Sequence, residues 1–294
     1  MKPLFLGTGT ALVTPFRNDE VDWEAFEQLI EEQIAGGVTA LIAAGTTGEP
    51  STMTWAEQLK VIRFVCDKTA GRACVIAGTG SNCTREVIEA AKAVKDFGAQ
   101  AQLCVTPYYN KTTQDGLVAH YHAIADSDTL PVIVYNVPSR TGMNILPATL
   151  QKITAHDNVV AVKEANADFV QAMEKIRLCG HQADFYSGSD ELIVPLMGIG
   201  FKGVISVLSN IMPKETADLT TLALKGEWAK ANELQLKYLP FVQALFSETS
   251  PIPAKTAMAM MGKMSDEMRL PLVPMSAGNK QKMAAIMQDL GLIK

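Results

Sequence analysis

Along the chain, short apolar runs rich in β-branched residues alternate with stretches of about a dozen residues whose apolar positions recur every three or four. The first pattern suits strands buried on both faces and the second suits amphipathic helices, so their alternation predicts βα units and a parallel sheet. Eight such runs stand at residues 9–13, 40–44, 74–77, 102–105, 132–135, 159–163, 184–187 and 203–207. Helices are expected between them at 23–35, 54–68, 84–97, 116–126 and 169–178. Eight strands alternating with helices predict a closed (β/α)8 TIM barrel over residues 1–225. After about Lys225 the strand pattern stops, and residues 227–246, 253–261 and 279–290 read as helices, which predicts a C-terminal helical extension over 226–294. An open doubly wound sheet is the alternative. It usually carries a nucleotide loop, but Gly78-Thr79-Gly80 lacks the third glycine of that motif, and Gly262-Lys263 is followed by Met264, so it is no P-loop.

Composition narrows the partners. A chain of 294 residues with 48% hydrophobic content can bury one large core. Its net charge of -5 and pI near 5.5 leave no basic face to neutralise a phosphate backbone, so nucleic acid is not an expected partner. Cys66, Cys74, Cys83, Cys104 and Cys179 form no C-x-x-C pair and lie in apolar segments, as expected of core thiols in a reducing, cytoplasmic compartment. No cleavable leader is expected, because the apolar start at Leu4-Phe5-Leu6 breaks at Gly7 and Gly9. No run reaches transmembrane length, so no membrane partner is expected.

In such barrels the active site forms where the strands end. The second strand ends in Gly45-Thr46-Thr47-Gly48-Glu49, the third in Gly78-Thr79-Gly80-Ser81-Asn82 and the fourth in Thr106-Pro107-Tyr108-Tyr109-Asn110. The fifth ends in Tyr135-Asn136-Val137-Pro138-Ser139-Arg140-Thr141-Gly142, the sixth in Lys163-Glu164, and the seventh in Ser187-Gly188-Ser189-Asp190. Lys163 follows four apolar residues, which places an amine at the end of a buried strand. Desolvation favours the neutral amine; lowering a lysine from about 10.4 to about 7 corresponds to roughly 4.6 kcal/mol, and the product is a nucleophile. The alternative is a lysine paired with a carboxylate at the barrel rim. Tyr135 ends the adjacent strand and can pass protons if Thr46 and Tyr109 link its phenol to other hydroxyls, or it is a core residue with a hydrogen-bonded tip. Thr46-Thr47 is a tight turn whose N–H groups are also able to hold a carboxylate. Arg140 is a surface arginine or a bidentate carboxylate grip. His120 and His122 diverge on a helix with no carboxylate cluster beside them, so neither a metal nor a cofactor is expected, and carbonyl activation falls to an imine.

Taken in order, these segments resemble the dihydrodipicolinate synthase (4-hydroxy-tetrahydrodipicolinate synthase) family of the N-acetylneuraminate lyase superfamily. Besides the strand ends, the resemblance runs through Ala11-Leu12-Val13-Thr14-Pro15-Phe16, Val162-Lys163-Glu164-Ala165, Gly203-Val204-Ile205-Ser206-Val207, Ser250-Pro251-Ile252-Pro253-Ala254-Lys255 and Arg269-Leu270-Pro271-Leu272-Val273-Pro274. It implies a class I, Schiff-base lyase that condenses pyruvate with L-aspartate 4-semialdehyde on the route to diaminopimelate and lysine. Lys163 is then the imine lysine, and Tyr135, Thr46 and Tyr109 are the proton relay, with Tyr109 supplied across a tight dimer. Thr47 binds the pyruvate carboxylate, Arg140 the semialdehyde carboxylate, and Gly188 and Ile205 line the pocket. The same resemblance implies a homotetramer built as a dimer of dimers, and an allosteric L-lysine pocket lined by Ser51, Trp55, Asn82, Glu86 and Tyr108. Asn82 and Glu86 are four apart and share a helix face if the helix starts early enough. Pro50 and Gln58 depart from the family pattern there. Two rivals stay open: a related aldolase acting on sialic acid or a 2-keto-3-deoxy sugar acid, and a barrel that binds a 2-oxo acid without turning it over. Arg140 counts against the first, because a polyol tail calls for hydroxyl-binding groups in its place.

Overall fold

The computed structural model describes residues 3–127 and 129–294. Among these, eight strands close into a barrel: β1 (Gly7–Ala11), β2 (Ala40–Ala43), β3 (Cys74–Gly78), β4 (Ala101–Val105), β5 (Val132–Asn136), β6 (Val159–Glu164), β7 (Asp184–Ser187) and β8 (Gly203–Ser206). Every neighbouring pair is parallel, and β1 pairs with both β2 and β8. The crossovers are α1 (Trp23–Ala35), α2 (Trp55–Thr69), α3 (Thr84–Val94), α4 (Gln114–Ala125), α5 (Pro147–Thr154), α6 (Phe169–Cys179), α7 (Ile193–Gly198) and α8 (Pro213–Leu224). Three more helices follow, α9 (Trp228–Leu245), α10 (Ile252–Met260) and α11 (Ala277–Asp289). Among the described residues, no helix is long and apolar enough to cross a membrane.

The period-two alternation of each strand divides the core. Ile133, Tyr135 and Ala161 face inward with Ile42, Ile76, Leu103 and Ile205, and Phe5 packs its ring on Tyr186 at 4.0 Å in the same inner cluster. Val132, Val134, Val159 and Val162 instead face the helices, among Leu117, Tyr121, Leu150 and Ile153. The terminal helices share a buried cluster with α1 and α2, where Phe241, Met258 and Met283 join Phe26, Ile30 and Val61. Burial of each such side chain contributes about 1.5–3 kcal/mol, so the shared cluster ties the extension to the barrel.

Several expected boundaries shift for local reasons. The first strand starts and ends two residues ahead of 9–13. Leu12 and Val13 are buried beyond the strand's end: the Leu12 N–H still donates to the Ile42 carbonyl, but the Val13 N–H turns to the Asn210 side chain, so burial alone does not mark the end. The third helix stops at Val94 and tightens into a 3₁₀ turn over Lys95–Phe97 before Gly98 at φ 95°. The fourth begins at Gln114 rather than 116 because the Thr113 hydroxyl caps it by accepting from the Gly116 N–H. Arg140 lies in a short helix, Pro138–Thr141, rather than in an open loop. Helices α5, α7 and α8 were not singled out from sequence, nor was the small antiparallel pair Phe16–Arg17 and Glu20–Val21, which turns through left-handed Asn18 and Asp19.

Candidate active site

Strand β6 sets the chemistry because consecutive residues must point to opposite faces. Lys163 follows Ala161 into the barrel, while Glu164 follows Val162 outward. On the outer face Glu164 accepts from the Lys175 ammonium at 2.6 Å and from Asn136 Nδ2 at 2.8 Å, all within the protein interior. On the inner face Lys163 is 6% exposed and forms no ion pair among the described residues. Its register partner on β5 is Tyr135, and its Nζ lies 4.4 Å from the centre of that ring. Burial is the main cause that lowers the Lys163 amine to about 8, with Asp190 pulling it up and Arg140 pushing it further down. The shift is smaller than the sequence suggested, yet it leaves a useful fraction of free amine near neutral pH.

The walls around this amine are made by backbone. A Cβ built on Gly188 would stand 2.6 Å from the Ala165 Cβ and 3.1 Å from the Lys163 Cε, so no side chain fits there. The Gly188 N–H donates to the Glu164 carbonyl at 2.7 Å, which ties the end of β7 to β6. Ile205 is buried in the barrel interior. Asp190 is also buried; one carboxylate oxygen accepts from the Val207 and Leu208 N–H groups, and burial raises its pKa. In the sequence Asp190 is only the last residue of a strand end; it comes near Lys163 because β6 and β7 pair, with Lys163 in register with Tyr186.

Thr46 and Thr47 occupy a 3₁₀ turn, Thr46–Gly48, that ends on left-handed Glu49 at φ 56°. Thr47 is buried, and the Thr14 hydroxyl donates to the Gly48 carbonyl at 2.8 Å. Burial holds the Tyr135 phenol above its ordinary pKa, opposed by the Arg140 charge and by a hydrogen bond with Thr46. Lys163, Tyr135 and Thr46 are therefore brought together within one chain. Arg140 lies at the cleft entrance, and its guanidinium donates to the Ser250 carbonyl at 3.0 Å, a partner from beyond the barrel that no local pattern announced.

Tyr109 stands apart from them. It is 92% exposed and sits at φ 67°, outside the lining of the cleft of about 670 Å³ that runs past Gly45, Thr46, Tyr135 and Arg140. The outer part of the same cleft is lined by Ser51, Trp55, Glu86 and Tyr108. Asn82 does not share a helix face with Glu86 as expected. The helix starts at Thr84, so Asn82 precedes it; its amide donates to the Tyr108 carbonyl at 3.1 Å and lines an adjoining hollow of about 310 Å³. Glu86 is in the first turn of α3 and accepts from the Ser81 hydroxyl at 2.7 Å.

The chain is similar to known proteins over nearly its whole length. The model of the Dihydrodipicolinate synthetase family matches residues 4–290. The 4-hydroxy-tetrahydrodipicolinate synthase of Geobacter metallireducens is 50% identical over 290 residues, covering 99% of this chain and 100% of the relative. Among solved structures, the chloride-inhibited dihydrodipicolinate synthase of Acinetobacter baumannii complexed with pyruvate is 40% identical with a TM-score of 0.96, covering 98% of this chain and 99% of that one. The enzyme of Cyanidioschyzon merolae with lysine bound is 38% identical with a TM-score of 0.95, covering 99% of this chain and 100% of that one.

Proposed function

The chain belongs to the dihydrodipicolinate synthetase family, and on that premise we propose that it is a Schiff-base lyase that condenses pyruvate with L-aspartate 4-semialdehyde to 4-hydroxy-tetrahydrodipicolinate. The observation that carries the mechanism is the buried, unpaired amine of Lys163 beside Tyr135. The free amine adds to the pyruvate C2 carbonyl, and the carbinolamine loses water to leave a protonated imine. That cation withdraws electrons from the adjoining methyl group, a methyl proton leaves, and the resulting enamine carbon attacks the semialdehyde carbonyl. Tyr135, linked to Thr46, carries protons to and from the carbinolamine and the new alkoxide. The amino group of the bound chain then attacks the imine carbon, expels the Lys163 amine and closes the ring.

Thr47 takes the pyruvate carboxylate, and Arg140, braced on the Ser250 carbonyl, takes that of the semialdehyde. Gly188 and Ile205 wall the pocket. Tyr109 completes the relay of a second copy of the chain, a reading supported by its exposure and its left-handed backbone. L-Lysine is the proposed effector of the outer cleft, held by Glu86, Tyr108, Asn82 and Ser51 with Trp55 over its aliphatic stem; the lysine-bound relative from Cyanidioschyzon merolae supports this. Residues 1–225 act as the catalytic barrel and 226–294 as its helical extension, in a cytoplasmic homotetramer. A coupled turnover assay tests the function: activity is expected with pyruvate and aspartate semialdehyde and not with N-acetylneuraminate, and the reverse pattern would reject the proposal.

A further inference from the structure

A third buried lysine, besides Lys163 and Lys175, stands against the turn that carries Thr46 and Thr47, and the catalytic cycle does not use it. Lys255, on α10 of the extension, donates to Glu49 Oε1 at 2.6 Å, with both side chains almost wholly hidden from solvent (0% and 1%). The Lys255 ammonium also sits 4.3 Å from the centre of the Phe16 ring, whose surroundings include the Arg269 guanidinium at 4.4 Å. Glu49 Oε2 has no hydrogen-bond partner among the described residues, so Lys255 is the sole anchor of that carboxylate. Burial pushes the Lys255 amine down, against the pull of Glu49.

Glu49 is the left-handed corner that ends the Thr46–Gly48 turn, and its N–H donates to the Thr46 carbonyl at 3.2 Å. A residue with a side chain adopts that conformation only where its surroundings hold it. The chain then passes through Pro50 and Thr52, whose carbonyls accept from Gln58 and from Arg269. The extension thus reaches under the turn with two cations, and one of them meets the residue that fixes the direction of Thr46 and Thr47. A buried ion pair is a weak source of stability compared with apolar packing, but it has a defined direction and length.

We propose that Lys255 is a positioning residue for the pyruvate-binding turn, fixing Glu49 and through it the aim of the Thr46 hydroxyl at Tyr135 and of Thr47 at the oxo-acid carboxylate. This rests on the reading of Thr46 and Thr47 given above. It makes the extension part of the active site's construction, acting on the first substrate at one end through Lys255 and on the second through the Ser250 carbonyl at Arg140.

The test separates aim from stability. Lys255→Met leaves Glu49 buried without its partner and should lower the thermal midpoint. The paired replacement Glu49→Met with Lys255→Met removes both charges and should recover it, because an apolar pair of similar volume is tolerated where an orphaned charge is not. In both variants the pyruvate KM and the pyruvate concentration needed for half-maximal borohydride trapping on Lys163 rise about tenfold, while the KM for aspartate semialdehyde stays within about twofold. Lys255→Arg keeps the charge and should return the pyruvate KM to within about threefold of the parent. A well-folded double variant with the parental pyruvate KM, or a Lys255→Arg enzyme as impaired as Lys255→Met, overturns the proposal. Absence of any pyruvate adduct on Lys163 in the parent enzyme would instead remove the site reading on which it stands.

Discussion

The two faces of β6 give adjacent residues opposite fates. On the outer face Glu164 and Lys175 meet at 2.6 Å, and Asn136 and the Asn166 N–H fill the remaining acceptor positions. On the inner face Lys163 is also buried but, among the described residues, has no carboxylate at contact distance; around it stand the Tyr135 ring, a glycine wall and the more distant charges of Asp190 and Arg140. Lys255 repeats the outer arrangement with Glu49. A buried lysine that meets a carboxylate holds structure together, whereas one without such a partner gives up its proton more easily and becomes a nucleophile. The contrast lies in what surrounds each amine, since burial is common to all three.

The largest expected effect comes from removing the unpaired amine. Lys163→Met should lower turnover by roughly a thousandfold or more, because no other group forms the imine. Its stability should rise. With a folded pKa near 8 against 10.5 unfolded, the protonated lysine costs the native state roughly 3 kcal/mol below pH 8. A lower thermal midpoint in Lys163→Met at pH 7 would break the comparison.

The matching change on the outer face should do the opposite. Lys175→Met strands the Glu164 charge in the interior and should cost about 3–5 kcal/mol of stability, read as the urea midpoint. A variant as stable as the parent would mean that Glu164 is not sealed from water as its burial indicates.

The pH profile sharpens the contrast further. Below pH 8 the Lys163 amine is mostly protonated, so the rate of imine formation at low pyruvate should climb with pH and level off above about 8. The linked stability runs the same way. Between pH 8 and 10.5 the unfolded chain binds a proton that the folded chain does not, so this group's contribution to stability rises with pH across that window. A rate that climbs without a plateau to pH 10 would show an ordinary exposed amine.

These contrasts were only partly legible in the residues. Alternation along 159–163 was enough to place an amine at the end of a buried strand, and the order of the strand ends was enough to set Tyr135 beside it. Which buried lysine would be unpaired was not legible, because the partners come from other turns of the fold. Glu49 and Lys255 are 206 positions apart, and Lys175 finds Glu164 across a crossover. Asn82 shows the same limit on a smaller scale. Spacing by four suggested a shared helix face, but the helix began two residues later, and Asn82 was taken up by the Tyr108 carbonyl.

The smallest expected effect concerns Arg140, which is exposed and touches only the second substrate in the proposed mechanism. Measured at pH 9, where the loss of the Arg140 push on the Lys163 amine matters least, Arg140→Ala should leave pyruvate trapping nearly intact and weaken use of aspartate semialdehyde by about 1.5–3 kcal/mol, as expected for one charge-assisted contact. An unaltered KM and rate for the semialdehyde would take Arg140 out of the site.

The most direct measurement is mass spectrometry of the protein reduced with sodium borohydride in the presence of pyruvate. An imine on the unpaired lysine predicts a single stable adduct of about 72 Da on the peptide carrying Lys163, with Lys175 and Lys255 unmodified and activity lost in proportion. An adduct on either paired lysine, or an unmodified Lys163 peptide in an enzyme that still turns over, would contradict it.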